Sequence, residues 1–375
     1  MAKKRVNAMP TALAALAAAG QVKGQLSQIA QDRNVINANH LLKWRSKLSA
    51  MTDGNAMAKI ALFSDSIGTG YYASNPLTAV AQQTLSFMGR IQAYYKAKYG
   101  DAGDGFKHIL THATPAHWTK TGTWVQDCFG VMGFGARTIT LNEYAECSFV
   151  GTAVDVVLIK EPFGASVEIK VDGSVVSTVD TDLDNALPVE PYVVSVTGQS
   201  AGSHTLRVTN KTNGKWCSVL GCVETGGPKG VIIYNMSRSG ATSAYLAGLD
   251  TEMINMTDYD IVVFSLLVND HAASTDLATY SSRLSSWCDY ALTGGKNVIL
   301  LVTGTTTTSD ADGILLYRDA MKNVAISKGV CFIDTINRWV GASDAVLGTL
   351  LHDTVHPNAI GHADIGKQIL QVLES

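Results

Sequence analysis

The chain has 375 residues, of which 46% are hydrophobic, and a formal net charge of -3. Such a composition excludes a disordered protein and is enough for one large core or two ordinary ones. Lys and Arg are scattered, with no basic block after Lys3-Lys4-Arg5, so no nucleic-acid partner is expected, and apolar runs such as Ile261 to Val268 fall short of the roughly 20 residues of a membrane helix.

The first residues, Met-Ala-Lys-Lys-Arg followed by Ala12 to Gly20, imitate a secretory signal, but the middle is mostly alanine and Pro10 interrupts it. Residues 1-56 read better as an alanine-rich helical or attachment segment. A first strand is expected at 58-63, because its apolar run lacks polar alternation, as strands covered on both faces do. A helix follows over Leu77 to Tyr99, and residues 100-135, rich in glycine, read as irregular loop. Ser166 to Val179 then alternates in and out around Asp172-Gly173, the short-range mark of a hairpin. More strand-like runs come at Tyr192 to Val196, His204 to Asn210 and Lys215 to Val223. Apolar strands resume at 229-234, 260-268, 297-303 and 330-334, followed in turn by helical patterns over Ser243 to Met256, Asp276 to Leu292, Asp310 to Ser327 and Asn358 to Leu373.

Alternating strands and helices predict a doubly wound, three-layer α/β/α domain on a five-stranded parallel sheet. An antiparallel β-sandwich interrupts it. The expected boundaries are 57-136 and 227-375 for the two parts of the α/β domain and 137-226 for the insert.

Six cysteines (Cys128, Cys147, Cys217, Cys222, Cys288, Cys331) show no CxxC and no metal-finger spacing, so buried thiols are expected. Cys217 and Cys222 lie at an odd spacing in one extended segment, which sends them to opposite faces and argues against a disulfide between them.

The chemistry concentrates at strand ends. Ser66, in Phe63-Ser-Asp-Ser66-Ile-Gly, directly follows the first strand, and Asp353-Thr-Val-His356-Pro-Asn358 precedes the last helix. A serine beside an Asp-x-x-His pair is how a hydroxyl acquires a base and the base an orienting carboxylate. Gly240 follows the second strand and Asn269 ends the third, so all fall on the carboxyl rim where open α/β sheets bind ligands. Singly, each has a bland reading: Ser66 as a helix cap, Asn269 as a turn residue, Asp353 and His356 as a cap ahead of Pro357. Together, in this strand order, the catalytic reading outweighs them.

This combination resembles the SGNH, or GDSL, hydrolase superfamily over about 57-100 and 227-375, in a flavodoxin-like fold. Two positions depart from the family pattern: Ser64 and Leu267 stand where it has glycine. The resemblance implies a serine esterase with a triad of Ser66, His356 and Asp353. It implies an oxyanion hole from the Ser66 and Gly240 backbone N-H groups and the Asn269 side chain, and needs no metal or organic cofactor. The inserted sandwich is similar to carbohydrate-recognising modules of esterases that remove acetyl groups from polysaccharides, including bacteriophage tail proteins. The expected partner is therefore an acetylated polysaccharide, or else a small ester, and Tyr71, Tyr72, Trp118 and Trp124 are candidate sugar contacts. Action outside the cell, secreted or on a virion tail, is implied, with the N-terminal segment serving virion attachment or contact in a homo-oligomer. A small-acyl esterase or thioesterase, and a non-catalytic glycan-binding attachment protein, are the alternatives.

Two patterns are decoys. Gly198-Gln-Ser200-Ala-Gly202 matches the nucleophile elbow G-x-S-x-G, but a strand rather than a helix follows it, so a hairpin turn is expected. His108, His112 and His117 lie in a loop-rich stretch with no carboxylate pattern and read as surface or cleft histidines rather than metal ligands.

Overall fold

The computed structural model describes residues 34-74, 78, 81, 84-109, 116-126, 135-184, 189-246, 250-304, 311-337, 339 and 344-375. Its central sheet carries the five expected strands, Met57–Ser64, Gly230–Asn235, Ile261–Ser265, Asn297–Val302 and Cys331–Asp334, all parallel to their neighbours. Numbered along the chain, they stand in the order 2-1-3-4-5, the flavodoxin-like arrangement. An unexpected sixth strand, Val35–Ile36, pairs antiparallel on the far edge with Cys331–Asp334.

The sheet's two-residue period sorts its side chains between two cores. Ile60, Leu62, Ile261, Val263, Ile299 and Leu301 face helices Leu42–Asp53, Phe87–Tyr99 and Ala359–Glu374. Phe63, Val262, Phe264, Val298 and Leu300 face helices Leu277–Thr293 and Ala311–Lys328. The last four helices expected from the sequence are present, the one over Ser243 to Met256 as a short 3-10 turn, Ser243–Leu246, and a single helical turn, Asp250–Ile254. The N-terminal reading needs correction. Within residues 1-56, helix Leu42–Asp53 is part of the α/β domain, because Trp44, Leu48 and Met51 are buried against the sheet and Trp44 Nε1 donates to the Leu373 carbonyl at 3.2 Å. Residues 1-33 lie outside the described residues.

The insert is a pair of packed sheets. One orders Ser174–Asp180, Ser166–Val171, Ser203–Asn210, Tyr144–Val150 and Trp118–Thr121; the other centres on Ala153–Pro162 and Cys217–Thr225. The Asp172-Gly173 hairpin is present, both residues at positive φ (50° and 81°) as a tight two-residue turn demands. The stretch 100-135 is not simply loop: Gly105–His108, Trp118–Thr121 and Val125–Gln126 are strands of these sheets. Nor is the insert an appendage, since Phe106, Val157, Ile159, Leu220 and Val223 on one face of its second sheet share a hydrophobic core with Phe264 and Trp287. The opposite face, with Val156, Leu158, Val219 and Cys222, packs on the first insert sheet.

One local irregularity overturns an expectation. Cys217 and Cys222 both face the insert's own core, because the register of their strand slips between Val219 and Gly221, adding a residue to the alternation. Gly221 makes that slip with φ 157° and a backbone so close to the Lys107 carbonyl that a Cβ would lie 2.2 Å from it.

Candidate active site

Ser66 opens a run of tight turns immediately beyond the Met57–Ser64 strand. The Tyr71 N-H and the Thr69 hydroxyl both donate to the Ser66 carbonyl, at 3.0 and 2.7 Å, so the chain curls around the serine rather than continuing into a helix. Gly68 allows the curl, since a Cβ there would stand 2.3 Å from Ser64 Cβ and 2.4 Å from Ser237 Oγ. The Ser66 side chain caps no helix; its Oγ lies 2.9 Å from His356 Nε2.

His356 is held by the turn that precedes the last helix. Its Nδ1 stands 2.8 Å from Asp353 Oδ2, while Asp353 Oδ1 accepts the backbone N-H groups of Val355 and His356 at 2.8 and 2.7 Å. Partial burial raises the Asp353 pKa, but those two N-H groups and the imidazole outweigh it and hold the carboxyl below its usual range. Helix capping falls to Asn358, whose Oδ1 accepts from Ile360 and Gly361 at 2.9 and 3.1 Å, so neither Asp353 nor His356 is needed for it.

Gly240 is brought to the same rim by backbone bonds. Met236 N-H donates to Leu62 O at 2.8 Å and Arg238 N-H to Ser64 O at 2.9 Å, which lays the following loop along the end of the strand that carries Ser66. Gly240 turns there with φ 80°. Asn269, in the short helix Val268–Ala272, donates from Nδ2 to the Ala241 carbonyl at 2.9 Å, and its neighbour Asp270 accepts the Ser243 N-H and hydroxyl at 2.7 and 2.6 Å. Ser66, Gly240, Asn269, Asp353 and His356 are thus gathered at the carboxyl ends of neighbouring strands 1, 2 and 3, the switch point where open sheets bind ligands. The two family departures are accommodated: Ser64 donates to Ser265 O at 2.8 Å, and Leu267 is buried as the residue preceding that short helix.

Of the aromatic candidates, two border the site. The Tyr71 and Tyr72 rings lie edge-on to His356, with centroids 5.2 and 5.5 Å away. Trp118 does not reach it: the ring is buried in the insert's core and donates its N-H to the Lys107 carbonyl at 3.0 Å. Trp124 packs against that same core and donates to Thr121 O at 3.1 Å.

Sequence reasoning missed several supporting groups. His352 stacks on Tyr72 with centroids 3.9 Å apart and closes the turn that carries Asp353 and His356 by donating its backbone N-H to His356 O at 2.8 Å. Its place beside Asp353 was the available signal. Asp65 is buried, and burial first, with Asp270 adding repulsion, pushes its pKa up to about 7 against the pull of the Ile67 and Gly68 N-H groups. His108, a suspected decoy, hydrogen-bonds the Asn235 carbonyl, and Asn235 Nδ2 donates to Gly68 O at 2.8 Å, so the insert braces the Ser66 turn. Burial pushes His108 and His117 down to about 4. His112 lies outside the described residues, among which no group of three or more His, Cys, Asp and Glu is arranged to hold a metal ion.

Ser200 is exposed, but not in the expected hairpin: Glu190–Val196 pairs with Ala153–Pro162 in one insert sheet and Ser203–Asn210 with Tyr144–Val150 in the other, so the segment crosses between sheets, still with a strand rather than a helix after it. A second His-Asp pair lies beside it, His204 Nδ1 standing 2.7 Å from Asp172 Oδ2. It offers Ser200 no base, because His204 Nε2 is bonded to the Ser200 backbone carbonyl at 2.8 Å. The carboxylate first, then this carbonyl, raise the His204 pKa.

The GDSL-like Lipase/Acylhydrolase family model matches residues 200–363. That span takes in Gly240, Asn269, Asp353 and His356; Ser66 lies before it, separated by the inserted sheets. Over that span the chain is similar to GDSL-like acylhydrolases, and its fold is consistent with that of the SGNH hydrolases. Among solved structures, a peptidoglycan O-acetylesterase shares 14% identity over 91% of this chain and 98% of its own, with a TM-score of 0.67. Since 9% of the chain is too little to hold the insert, the shared fold includes its sheets as well. A family two carbohydrate esterase from Clostridium thermocellum (13% identity, 68% of this chain, 96% of that one, TM-score 0.31) also matches. So does an acetylxylan esterase mutant from Geobacillus stearothermophilus (22%, 38% and 73%, TM-score 0.35). No curated protein sequence matches the chain.

Proposed function

We propose that the chain is a serine esterase that removes O-acetyl groups from a polysaccharide. The observation that carries the esterase reading is the unbroken relay from Ser66 Oγ to His356 Nε2 and from His356 Nδ1 to Asp353, on the rim of an SGNH fold. In this reading His356 takes the Ser66 proton as Oγ attacks the ester carbonyl, and Asp353 keeps the Nε2 lone pair aimed at the serine. The oxyanion is met by the Ser66 and Gly240 N-H groups and by the second Nδ2-H of Asn269, each such donor worth about 10² to 10³ in rate. His356 returns the proton to the departing sugar oxygen. Water, activated by the same imidazole, then releases acetate from Ser66.

Tyr71, Tyr72 and His352 form an aromatic shelf beside His356, suited to the apolar face of a sugar ring. One solved structure that shares the whole architecture, at 14% identity, is a peptidoglycan O-acetylesterase. Acetate release from acetylated polysaccharides and hydrolysis of short p-nitrophenyl esters, each compared with Ser66→Ala, test both parts. Turnover that persists in Ser66→Ala sinks the mechanism. Activity on p-nitrophenyl acetate with none on any acetylated glycan sinks the substrate reading, and glycan binding without turnover in either protein indicates a non-catalytic attachment protein.

A further inference from the structure

Cys147 of strand Tyr144–Val150 and Cys222 of strand Cys217–Thr225 belong to opposite sheets of the insert and meet in its core, with Sγ atoms 3.4 Å apart. Both are buried free thiols, and among the described residues this is the one pair of cysteine sulfurs in contact. Three features create the meeting. Cys147 stands opposite Trp118 in its sheet and shares a core with Phe149 and Val208; the bulge before Gly221 turns Cys222 inward; and Lys107 from strand Gly105–His108 binds the Ser148 carbonyl at 3.1 Å, tying the two sheets together beside the sulfurs. A disulfide needs its sulfurs about 2.05 Å apart, so closure asks for a shift of roughly 1.4 Å, within reach of small side-chain rotations.

We propose that Cys147 and Cys222 are a redox pair that closes to a cross-sheet disulfide in an oxidising medium and stays open as two thiols in a reducing one. With a disulfide oxidant such as oxidised glutathione, one cysteine thiolate attacks a glutathione sulfur, breaking that S-S bond and releasing one glutathione thiolate. The second cysteine thiolate attacks the resulting mixed disulfide at the protein sulfur and releases the other glutathione. The protein gives up two protons and two electrons; oxidised glutathione takes them up as two thiols. Burial opposes ionisation of Cys147 and the Lys107 ammonium favours it, so exchange proceeds during folding or on opening of the insert rather than through the closed core. The bond would close a loop across most of the insert, adding a covalent link between two sheets that packing, the Lys107 bridge and hydrogen bonds such as Val150 N-H to Glu224 at 3.1 Å already join.

The test refolds the full chain from denaturant in a glutathione redox buffer and, in parallel, in excess reductant. Each sample is blocked with maleimide under denaturing conditions, digested and weighed. The expected result is a chain lighter by about 2 Da before blocking, with one linked peptide pair joining Cys147 to Cys222 and a Tm higher on the order of 5 °C than the reduced form. The link disappears in Cys147→Ser and survives in Cys217→Ser. Maleimide on both Cys147 and Cys222 in the oxidised sample overturns the proposal, as does linkage of either to Cys217 or Cys128. Should the Cys147→Ser chain fail to refold, the wild-type peptide map decides alone.

Discussion

Replacing Asp353 by Asn changes one atom and reverses one hydrogen bond. In the native site Asp353 Oδ2 accepts from His356 Nδ1 at 2.8 Å, which leaves the Nε2 lone pair pointing at Ser66 Oγ, 2.9 Å away. The Asn side chain has two placements. Its oxygen can keep the Val355 and His356 N-H groups now bound at 2.8 and 2.7 Å, which turns its NH2 toward Nδ1 and forces the imidazole proton onto Nε2. Otherwise it flips, leaving those two N-H groups facing a donor, at a cost of about 1 to 3 kcal/mol each. The first placement is preferred, and it holds His356 in the tautomer that cannot accept the serine proton. The expected loss is about 10³ to 10⁴ in kcat, or roughly 4 to 5.5 kcal/mol of transition-state stabilisation. KM should move by less than about threefold, because in this relay Asp353 acts through His356 rather than on the substrate. Steady-state hydrolysis of p-nitrophenyl acetate reads both quantities, with a thermal melt to show that the turn survives. A variant within tenfold of wild-type kcat, or one that loses only KM, refutes the relay as drawn.

Other expectations follow from neighbouring parts of the molecule. Gly240→Ala places a Cβ at φ 80° with no atom within 4 Å of it, so the stability cost is limited to left-handed strain of about 1 to 2 kcal/mol. The variant keeps its N-H, so a fall in kcat of about tenfold or more would come from the methyl standing where the oxyanion must approach that N-H, and full kcat in a folded variant means that the Cβ lies outside the path of the substrate oxygen. Trp44→Ala should cost about 3 to 5 kcal/mol in urea unfolding, since the ring is fully buried edge-on to Tyr95; a loss under about 1 kcal/mol would return Leu42–Asp53 to the status of an appendage. His362 is buried, and that burial pushes its pKa down to about 4 from 6.5. The unfolded chain therefore binds its proton first, so this contribution to stability is complete above pH 6.5 and is lost as pH falls toward 4. Between those limits, wild type should lose up to about 1.4 kcal/mol per pH unit more than His362→Gln, and parallel pH profiles of the two proteins would contradict it.

Much of the α/β domain was legible before any coordinates. Strands covered on both faces leave unbroken apolar runs, so 58-63, 229-234, 260-268, 297-303 and 330-334 announced themselves. Because each run ends at or within three residues of the sheet's edge, Ser66, Gly240 and Asn269 were placed on the rim by position alone. Those signals are local and needed no partner. Three things were decided only by packing. Gly105–His108 and Trp118–Thr121 are too short to show a period, and they became strands because neighbouring strands supplied hydrogen bonds. Trp118 has the same amphipathic ring whether it lines a cleft or fills a core, and its place in the insert settled which. Cys147 and Cys222 lie 75 positions apart, and the bulge that aims one at the other arises from the close approach of Gly221 to Lys107. A periodicity records which face a side chain takes within its own element; what waits on that face depends on how the elements are stacked.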